Sequence, residues 1–128
     1  MALDIQAATD AQGRCRIALH GMLDAGTSPL LDRELERVLR DGTPSALVFD
    51  LAGLEYVSSA GLRVLFKARR AMQQHGAPLL MLSPQPQVRK VFEIVHATPV
   101  DEIFASTAEL DRYLDTIQRR MLGAGDED

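Results

Sequence analysis

Residues 46–62 read Ala46-Leu47-Val48-Phe49-Asp50-Leu51-Ala52-Gly53-Leu54-Glu55-Tyr56-Val57-Ser58-Ser59-Ala60-Gly61-Leu62. Residues 46–51 are apolar almost throughout, which predicts a strand buried on both faces at the centre of a sheet. After a short loop, the serines and the glycine begin a predicted helix over residues 59–74. Free backbone N–H groups and the positive end of the helix dipole coincide at such a start, so it favours an anion.

The serines at this helix start also fit two other interpretations. Serine is a preferred N-cap residue, so a purely structural role is one explanation of Ser58 or Ser59. A serine hydrolase would need a nucleophile elbow of the form Gly-x-Ser-x-Gly. Gly61 has the right spacing from Ser59, but Val57 occupies the first glycine position, where a sharp turn has no room for a branched side chain. We therefore expect no catalytic residue.

The upstream residues predict a hairpin followed by a helix. Asp10-Ala11-Gln12-Gly13 is typical of a turn in which glycine adopts a positive φ. Ser28 is expected to supply a capping hydroxyl and Pro29 the first helical position, and Asp41-Gly42 ends the helix. These signals give a strand at 3–7, a strand at 15–20, a loop at 21–26 and a helix with the stripe Leu31, Leu35, Val38 and Leu39.

The downstream residues continue the alternation of strands and helices. Pro86 precedes a helix with apolar residues at spacings of three and four, and Ser106-Thr107-Ala108-Glu109 is a capping box. The predicted elements are a buried strand at 78–82, a helix with the stripe Val88, Val91, Phe92 and Val95, a short strand at 100–104, and a last helix with the stripe Leu110, Tyr113, Leu114, Ile117 and Met121.

This order predicts an α/β fold with a single domain over residues 3–121. A hairpin followed by alternating helices and strands gives one mixed sheet of four to five strands, with about four helices packed on it. The length of 128 residues also suits one domain. Residues 122–128 are small and acidic, and we expect a disordered tail there.

Composition and charge exclude several classes of protein. A net charge of −4 and 5% aromatic residues argue against nucleic-acid binding. Apolar patches such as Leu79-Leu80-Met81-Leu82 are too short for membrane insertion, and Met1-Ala2-Leu3-Asp4 lacks the basic region of a signal peptide. We therefore expect a cytoplasmic protein. The single cysteine, Cys15, shares a strand face with apolar residues and is expected to be buried rather than reactive.

Candidate metal and cofactor sites are weak in this sequence. Asp50 at a predicted strand end suggests the phosphoacceptor of a receiver domain, but that chemistry needs a cluster of carboxylates for Mg²⁺ that the sequence does not offer. His20, His75 and His96 have no metal-ligand spacing. With no glycine-rich phosphate loop either, we expect no metal, no cofactor and no small-molecule substrate. The predicted helix over residues 59–74 also carries a basic run, namely Arg63, Lys67, Arg69 and Arg70. Such a run either forms a solvated helix face or attracts an acidic partner.

Four stretches in register resemble the STAS domain family of anti-sigma factor antagonists. The resemblance covers about residues 3–121. The stretches are Leu19-His20-Gly21-Met22-Leu23-Asp24-Ala25-Gly26-Thr27; Leu47-Val48-Phe49-Asp50-Leu51 followed by Ser58-Ser59-Ala60-Gly61-Leu62; Leu80-Met81-Leu82-Ser83-Pro84; and Val88-Arg89-Lys90-Val91-Phe92-Glu93-Ile94.

The resemblance implies a protein-binding switch and not an enzyme. In this family the unphosphorylated antagonist binds an anti-sigma factor that is also a serine-protein kinase, which frees the sigma factor. The kinase then phosphorylates a serine at the start of the second helix, and the complex dissociates. A serine phosphatase resets the cycle. The alternative within the same fold is a constitutive subunit or scaffold of a transport or sensory complex, whose serine is never modified.

The family motif places the phosphoacceptor at Ser59, which we expect to be exposed. Some members carry Asp where this chain has Ser58, and Ser where it has Ala60, so Ser58 is the alternative phosphoacceptor. Gly61 is expected to allow close backbone approach, and Leu62 to divide between the core and the contact surface. The resemblance implies a partner-binding set of Asp24, Thr27, Ser58, Ser59, Ala60, Gly61, Leu62 and Arg63.

Overall fold

The computed structural model describes residues 2–97 and 107–124. Within these ranges the chain forms one mixed sheet of four strands with four helices, which confirms the predicted architecture. The elements follow one another as β1 (Leu3–Thr9), β2 (Arg14–Leu23), α1 (Ser28–Arg40), β3 (Ala46–Val57), α2 (Ser59–Gln74), β4 (Leu79–Leu82), α3 (Pro86–Ala97) and α4 (Thr107–Ala124).

The hairpin between β1 and β2 forms as predicted. Gly13 has a φ of +80°, and its N–H donates to the carbonyl oxygen of Asp10 at 3.1 Å. The Asp10 carboxylate accepts from the N–H of Gln12 at 2.9 Å and from that of Arg14 at 3.0 Å. These bonds, those from Arg14 above all, lower the pKa of Asp10. The turn therefore aligns β1 antiparallel to β2.

All the covering helices contribute to a core on one face of the sheet. The strand order is β1-β2-β3-β4, with β2, β3 and β4 parallel, so the chain crosses the sheet twice in the same direction, through α1 and then α2. Because such crossovers are right-handed, both helices lie on the same face. Residues of α3 and α4 join the same core. The fully buried strand residues that face it are Ile17, Leu19, Leu47, Phe49 and Leu51.

The opposite face is open, so the prediction that residues 46–51 are buried on both faces is wrong. Val48 and Asp50 are only half-buried. Residues 78–82 were also expected to form a buried strand, but Leu80 is 51% exposed and Leu82 is 40% exposed. The apolar pattern alone did not reveal that both crossovers run the same way.

Several boundaries differ from the prediction. β2 continues to Leu23 and β3 to Val57, through register shifts between Ala18 and His20 and between Gly21 and Met22. Ser28 is the first helical residue of α1 and not its cap, because Thr27 occupies the N-cap position.

The predicted apolar stripe of the last helix is only partly buried. Leu110 and Leu114 of α4 are buried as expected, whereas Tyr113 is 39% exposed. The predicted strand at 100–104, Ser106 of the capping box and residues 125–128 lie outside the described residues. No helix in the described ranges is long and apolar enough to cross a membrane.

Leu47→Ala and Leu80→Ala form a matched pair that tests the one-sided sheet. Leu47 is fully buried, and its truncation should lower the free energy of unfolding by about 2–5 kcal/mol through the cavity that it leaves. Leu80 lies on the open face, so its truncation should change that free energy by about 0.5 kcal/mol or less. Urea unfolding of both variants measures the difference, and equal losses would mean that the second face is covered.

Candidate functional site

The loop after β2 and the start of α2 meet at one edge of the sheet because β2 and β3 run parallel. Leu23 and Val57, the last residues of these strands, are paired side by side. The N–H of Ser58 donates to the carbonyl oxygen of Leu23 at 2.9 Å. The loop after β2 and the start of α2 therefore form one continuous region, which we call the carboxyl edge (residues 24–27 and 58–63).

Ser58 is the N-cap of α2. Its backbone is extended, with φ −95° and ψ 176°, and its Oγ accepts from the N–H of Gly61 at 3.3 Å. The first helical hydrogen bond follows, from the N–H of Leu62 to the carbonyl oxygen of Ser58 at 2.9 Å. The Ser58 hydroxyl thus has a structural partner already.

Gly61 lets the start of α2 lie directly against the end of β2. A Cβ added at this position would lie 2.6 Å from Leu23 Cγ and 3.0 Å from the carbonyl oxygen of Leu23. Distances this short would require the backbone or the buried leucine to move. The absence of a side chain at Gly61 therefore sets how closely the two loops of the carboxyl edge approach, as the sequence suggested.

Asp24 and Thr27 hold the neighbouring loop in a fixed shape. Thr27 Oγ1 donates to the carbonyl oxygen of Met22 at 2.7 Å and accepts from the N–H of Asp24 at 2.9 Å. Asp24 Oδ1 accepts from the N–H groups of Gly26 and Thr27, each at 3.0 Å. Thr27 is buried, while Asp24 is half-buried and Gly26 exposed. Four hydrogen bonds thus define the backbone of the loop, which reaches the surface at Gly26.

Ser59 is buried, so the expectation that its hydroxyl is exposed is wrong. The residue is 2% exposed, and among the described residues its Oγ has no hydrogen-bond partner. The N–H of Ser59 donates to Asp111 Oδ1 of α4 at 3.0 Å. This bond brings α4 against the start of α2, and Leu110 of α4 lines the same cavity as Ser59. The sequence placed Ser59 at a helix start without showing that the residue is buried or that a second helix contacts it.

The remaining residues of the predicted partner-binding set divide between core and surface. Leu62 is 3% exposed and belongs to the core. Ala60 is half-buried and Arg63 is exposed. Together with Asp24, these two residues give the carboxyl edge an accessible surface.

A surface cavity of about 430 Å³ lies next to Ser59. Its walls include the apolar Leu62, Phe66 and Leu110, and its rim carries Arg63, Lys67 and Arg70 of the basic run. Lys67 Nζ is paired with Asp32 of α1 at 2.9 Å. This pairing raises the pKa of Lys67. Part of the basic run therefore joins α2 to α1.

The family model for the STAS domain matches residues 6–110. The chain belongs to the STAS domain family. The match includes β2, β3, α2 and both loops of the carboxyl edge.

Two curated relatives align with the STAS chain over part of its length. It is 36% identical over 76 residues to the "Putative anti-sigma factor antagonist BtrV" of Bordetella bronchiseptica, covering 59% of this chain and 65% of that protein. It is 26% identical over 77 residues to the "Anti-sigma F factor antagonist" of Lysinibacillus sphaericus, covering 60% and 66%. The chain thus spans about 65% of the length of these relatives.

Solved structures share the STAS fold. Unphosphorylated SpoIIAA, an anti-sigma factor antagonist, superposes with a TM-score of 0.66 at 21% identity, over 75% of this chain and 84% of that one. An anti-sigma factor antagonist from Mycobacterium paratuberculosis gives 0.62 at 24% identity, over 91% and 95%. Phosphorylated SpoIIAA of Bacillus gives 0.61 at 20% identity, over 70% and 81%.

Sequence reasoning missed two residues of α4 that contact this STAS site. Asp111 binds the N–H of Ser59, and Gln118 binds the end of β3. Gln118 is 1% exposed; its Oε1 accepts from the N–H of Val57 at 2.9 Å, and its Nε2 donates to the carbonyl oxygen of Val57 at 2.8 Å. One signal was present: Gln118 continues the i, i+4 row of Leu110 and Leu114, where an amide is unexpected among apolar residues.

The structure also places the other candidate groups. Asp50 lies within β3 on the open face, where Arg16 Nη2 is 2.6 Å from its Oδ2 and lowers its pKa. Among residues 2–97 and 107–124, His, Cys, Asp and Glu form no group that could hold a metal ion.

Two candidate nucleophiles are both buried, Cys15 and Ser59. Cys15 is 1% exposed, and burial raises the pKa of its thiol. A hydrolase would require a base in contact with the nucleophilic hydroxyl, and the Ser59 hydroxyl has no such partner in the described part of the chain.

Gly61→Ala should destabilise the domain by about 1–3 kcal/mol, because the new methyl group overlaps Leu23. Gly53→Ala is the matched control. The three atoms nearest to its Cβ all belong to the His20 ring, which is exposed and can turn away, so we expect a change below about 1 kcal/mol. Thermal and urea unfolding of both variants test this, and equal stabilities would contradict the close contact between α2 and β2.

Thr27→Val should lower the free energy of unfolding by about 1–3 kcal/mol, because it leaves the Met22 carbonyl and the Asp24 N–H without their partner. Thr27→Ser keeps the hydroxyl and should lower the free energy of unfolding by less than Thr27→Val does. Urea unfolding compares the two, and hydrogen exchange of the Asp24 amide shows whether the loop loosens. If the valine variant is as stable as the serine variant, the hydroxyl does not hold the loop.

Proposed function

We propose that this protein is an anti-sigma factor antagonist that works as a partner-switching regulator. In its unphosphorylated form it binds an anti-sigma factor that is also a serine-protein kinase, and phosphorylation of Ser59 releases it. A serine phosphatase restores the binding form. We place this cycle in the cytoplasm and assign no catalytic step to the chain itself.

The proposal draws support from the family and from the site. Two relatives carry the name anti-sigma factor antagonist, and one protein of the same fold has been solved in unphosphorylated and phosphorylated forms. The observation that carries the proposal is the position of Ser59. It is the first residue of α2, beside the ordered loop of Asp24 and Thr27.

A phosphate at this position would change the surface that a partner contacts. Phosphorylation adds about −1.5 to −2 charges at neutral pH. The carboxyl edge already includes the half-buried carboxylate of Asp24, so a partner bound there would have to accommodate two desolvated negative groups. Since each tenfold loss of affinity requires only about 1.4 kcal/mol, one phosphate is sufficient for a large switch.

The geometry favours Ser59 over Ser58 as the phosphoacceptor. Ser58 Oγ caps α2 by accepting from the N–H of Gly61, and modification would remove that cap. Ser59 Oγ has no hydrogen bond to lose among the described residues. Phosphorylation of Ser59 should therefore destabilise the start of α2 less than phosphorylation of Ser58.

The burial of Ser59 supports a second candidate function. A hydroxyl on a residue only 2% exposed is poorly placed for a kinase. A STAS subunit or scaffold of a transport or sensory complex would bind its partner constitutively and would leave this serine unmodified. Such a subunit would use the same carboxyl edge or the open face of the sheet without a phosphorylation cycle.

A binding titration against the co-purifying anti-sigma factor tests the switch. Ser59→Ala should bind and stay bound, whereas Ser59→Asp should bind at least about tenfold more weakly. Ser45→Asp is the matched control, because Ser45 is an exposed serine before β3 and should leave the affinity unchanged. Equal affinity of the two Ser59 variants would exclude the proposal.

Phosphopeptide mass spectrometry on the protein from its own cells decides between the candidates. Phosphate on Ser59 with a bound kinase supports the switch. Phosphate on Ser58 keeps the mechanism and moves the site. An unmodified peptide under several growth conditions, with a transporter subunit in place of the kinase, supports the constitutive subunit.

A further inference from the structure

We propose that α4 is a latch over Ser59: it must leave the start of α2 before Ser59 can be phosphorylated, and the phosphate then keeps it away by displacing the Asp111 carboxylate. The inference rests on the proposed function and adds a conformational step to it. Three features of the described residues support it, namely the buried hydroxyl, the carboxylate above it and the second attachment of α4 at Gln118.

The first feature is the Ser59 hydroxyl. It is enclosed, and no described residue hydrogen-bonds to it. In phosphoryl transfer this oxygen attacks the γ-phosphorus of a nucleoside triphosphate, the bond to the β-phosphate oxygen breaks, the diphosphate leaves, and the serine proton passes to a base of the kinase. The attack requires the oxygen and the phosphorus to be in line within the kinase site. The enclosed hydroxyl cannot reach that geometry while α4 is in place.

The second feature is the Asp111 carboxylate at the start of α2. Its Oδ1 accepts from the N–H of Ser59 at 3.0 Å. It therefore occupies the place where the free N–H groups and the helix dipole attract an anion. A phosphate attached to Ser59 would compete for the same donor and would repel the carboxylate. Phosphorylation of Ser59 thus disfavours the position of α4 against α2, and that position in turn disfavours phosphorylation.

The third feature is the attachment of α4 further along its length. Gln118, two helical turns after Asp111, bonds to both backbone groups of Val57 at the end of β3. Leu114 lies between these two anchors and is fully buried. The helix is thus held at the start of α2 and at the end of β3, so displacement of Asp111 is expected to loosen the Gln118 contact as well.

A thiol at position 59 measures the opening of the latch without any kinase. In the full chain with Ser59→Cys, alkylation should be at least about tenfold slower than in the chain unfolded in urea. Adding Asp111→Ala should accelerate it about tenfold or more, because it removes the hydrogen bond to a charged group that holds the latch. Asp115→Ala is the matched control: Asp115 is on the same helix and pairs with Arg119 instead.

Two features of the measurement exclude other causes. Rates are compared on their plateau at high pH, where a change in thiol pKa no longer alters the thiolate fraction. Cys15, which is 1% exposed, reports global unfolding in the same peptide map and should not be accelerated. The latch is wrong if position 59 reacts at the unfolded rate from the outset, if Asp111→Ala and Asp115→Ala have equal effects, or if Cys15 accelerates together with position 59.

Phosphoserine incorporated at position 59 during translation tests the second half of the proposal. The side-chain amide signals of Gln118 should move to solvent-exposed NMR shifts, and the Val57 amide should lose protection from hydrogen exchange. If both stay as in the unmodified chain while Ser59→Asp still weakens anti-sigma factor binding, the latch is wrong and the switch stands. If the latch opens but cells never phosphorylate Ser59, the proposed function fails and the coupling within the fold stands.

Discussion

The parallel pairing of β2 with β3 is the constraint on which the site depends. It brings Leu23 and Val57 side by side at one edge of the sheet, so the loop after β2 and the start of α2 cannot be far apart. Ser58 then bonds to Leu23, and Gly61 allows the helix to lie against the same leucine. A change in this register would move the Asp24 loop away from Ser59 and would divide the site.

The same pairing explains why the sheet has one open face. Strands added in the order β2, β3, β4 with right-handed crossovers place α1 and α2 on one side. The other side remains polar enough for water because Arg16 and Asp50 pair there, although Leu80 and Leu82 are exposed beside them. The domain thus has a packed face that supports the carboxyl edge and a second face that takes no part in it.

The start of α2 holds three oxygen-bearing side chains with different roles. Ser58 caps the helix, Asp111 supplies a negative charge from another helix, and the Ser59 hydroxyl is buried without a hydrogen bond from the described residues. In the unmodified site an internal carboxylate thus occupies the position at the helix start that favours an anion. That arrangement is the reason that adding a phosphate should reorganise contacts and not merely add charge.

Local patterns in the sequence predicted the described helices and strands, apart from some boundaries, and proposed a site at the start of α2. The helix predicted at 59–74 matches α2 (Ser59–Gln74), and the hairpin turn at Gly13 follows from local conformational preference. Only the tertiary structure decided that β3 has an open face, that Ser59 is enclosed, and that Asp111 and Gln118 belong to the site. The physical reason is sequence distance: these α4 contacts join residues 52 and 61 positions apart, and periodicity and capping preferences report only on neighbours a few residues away.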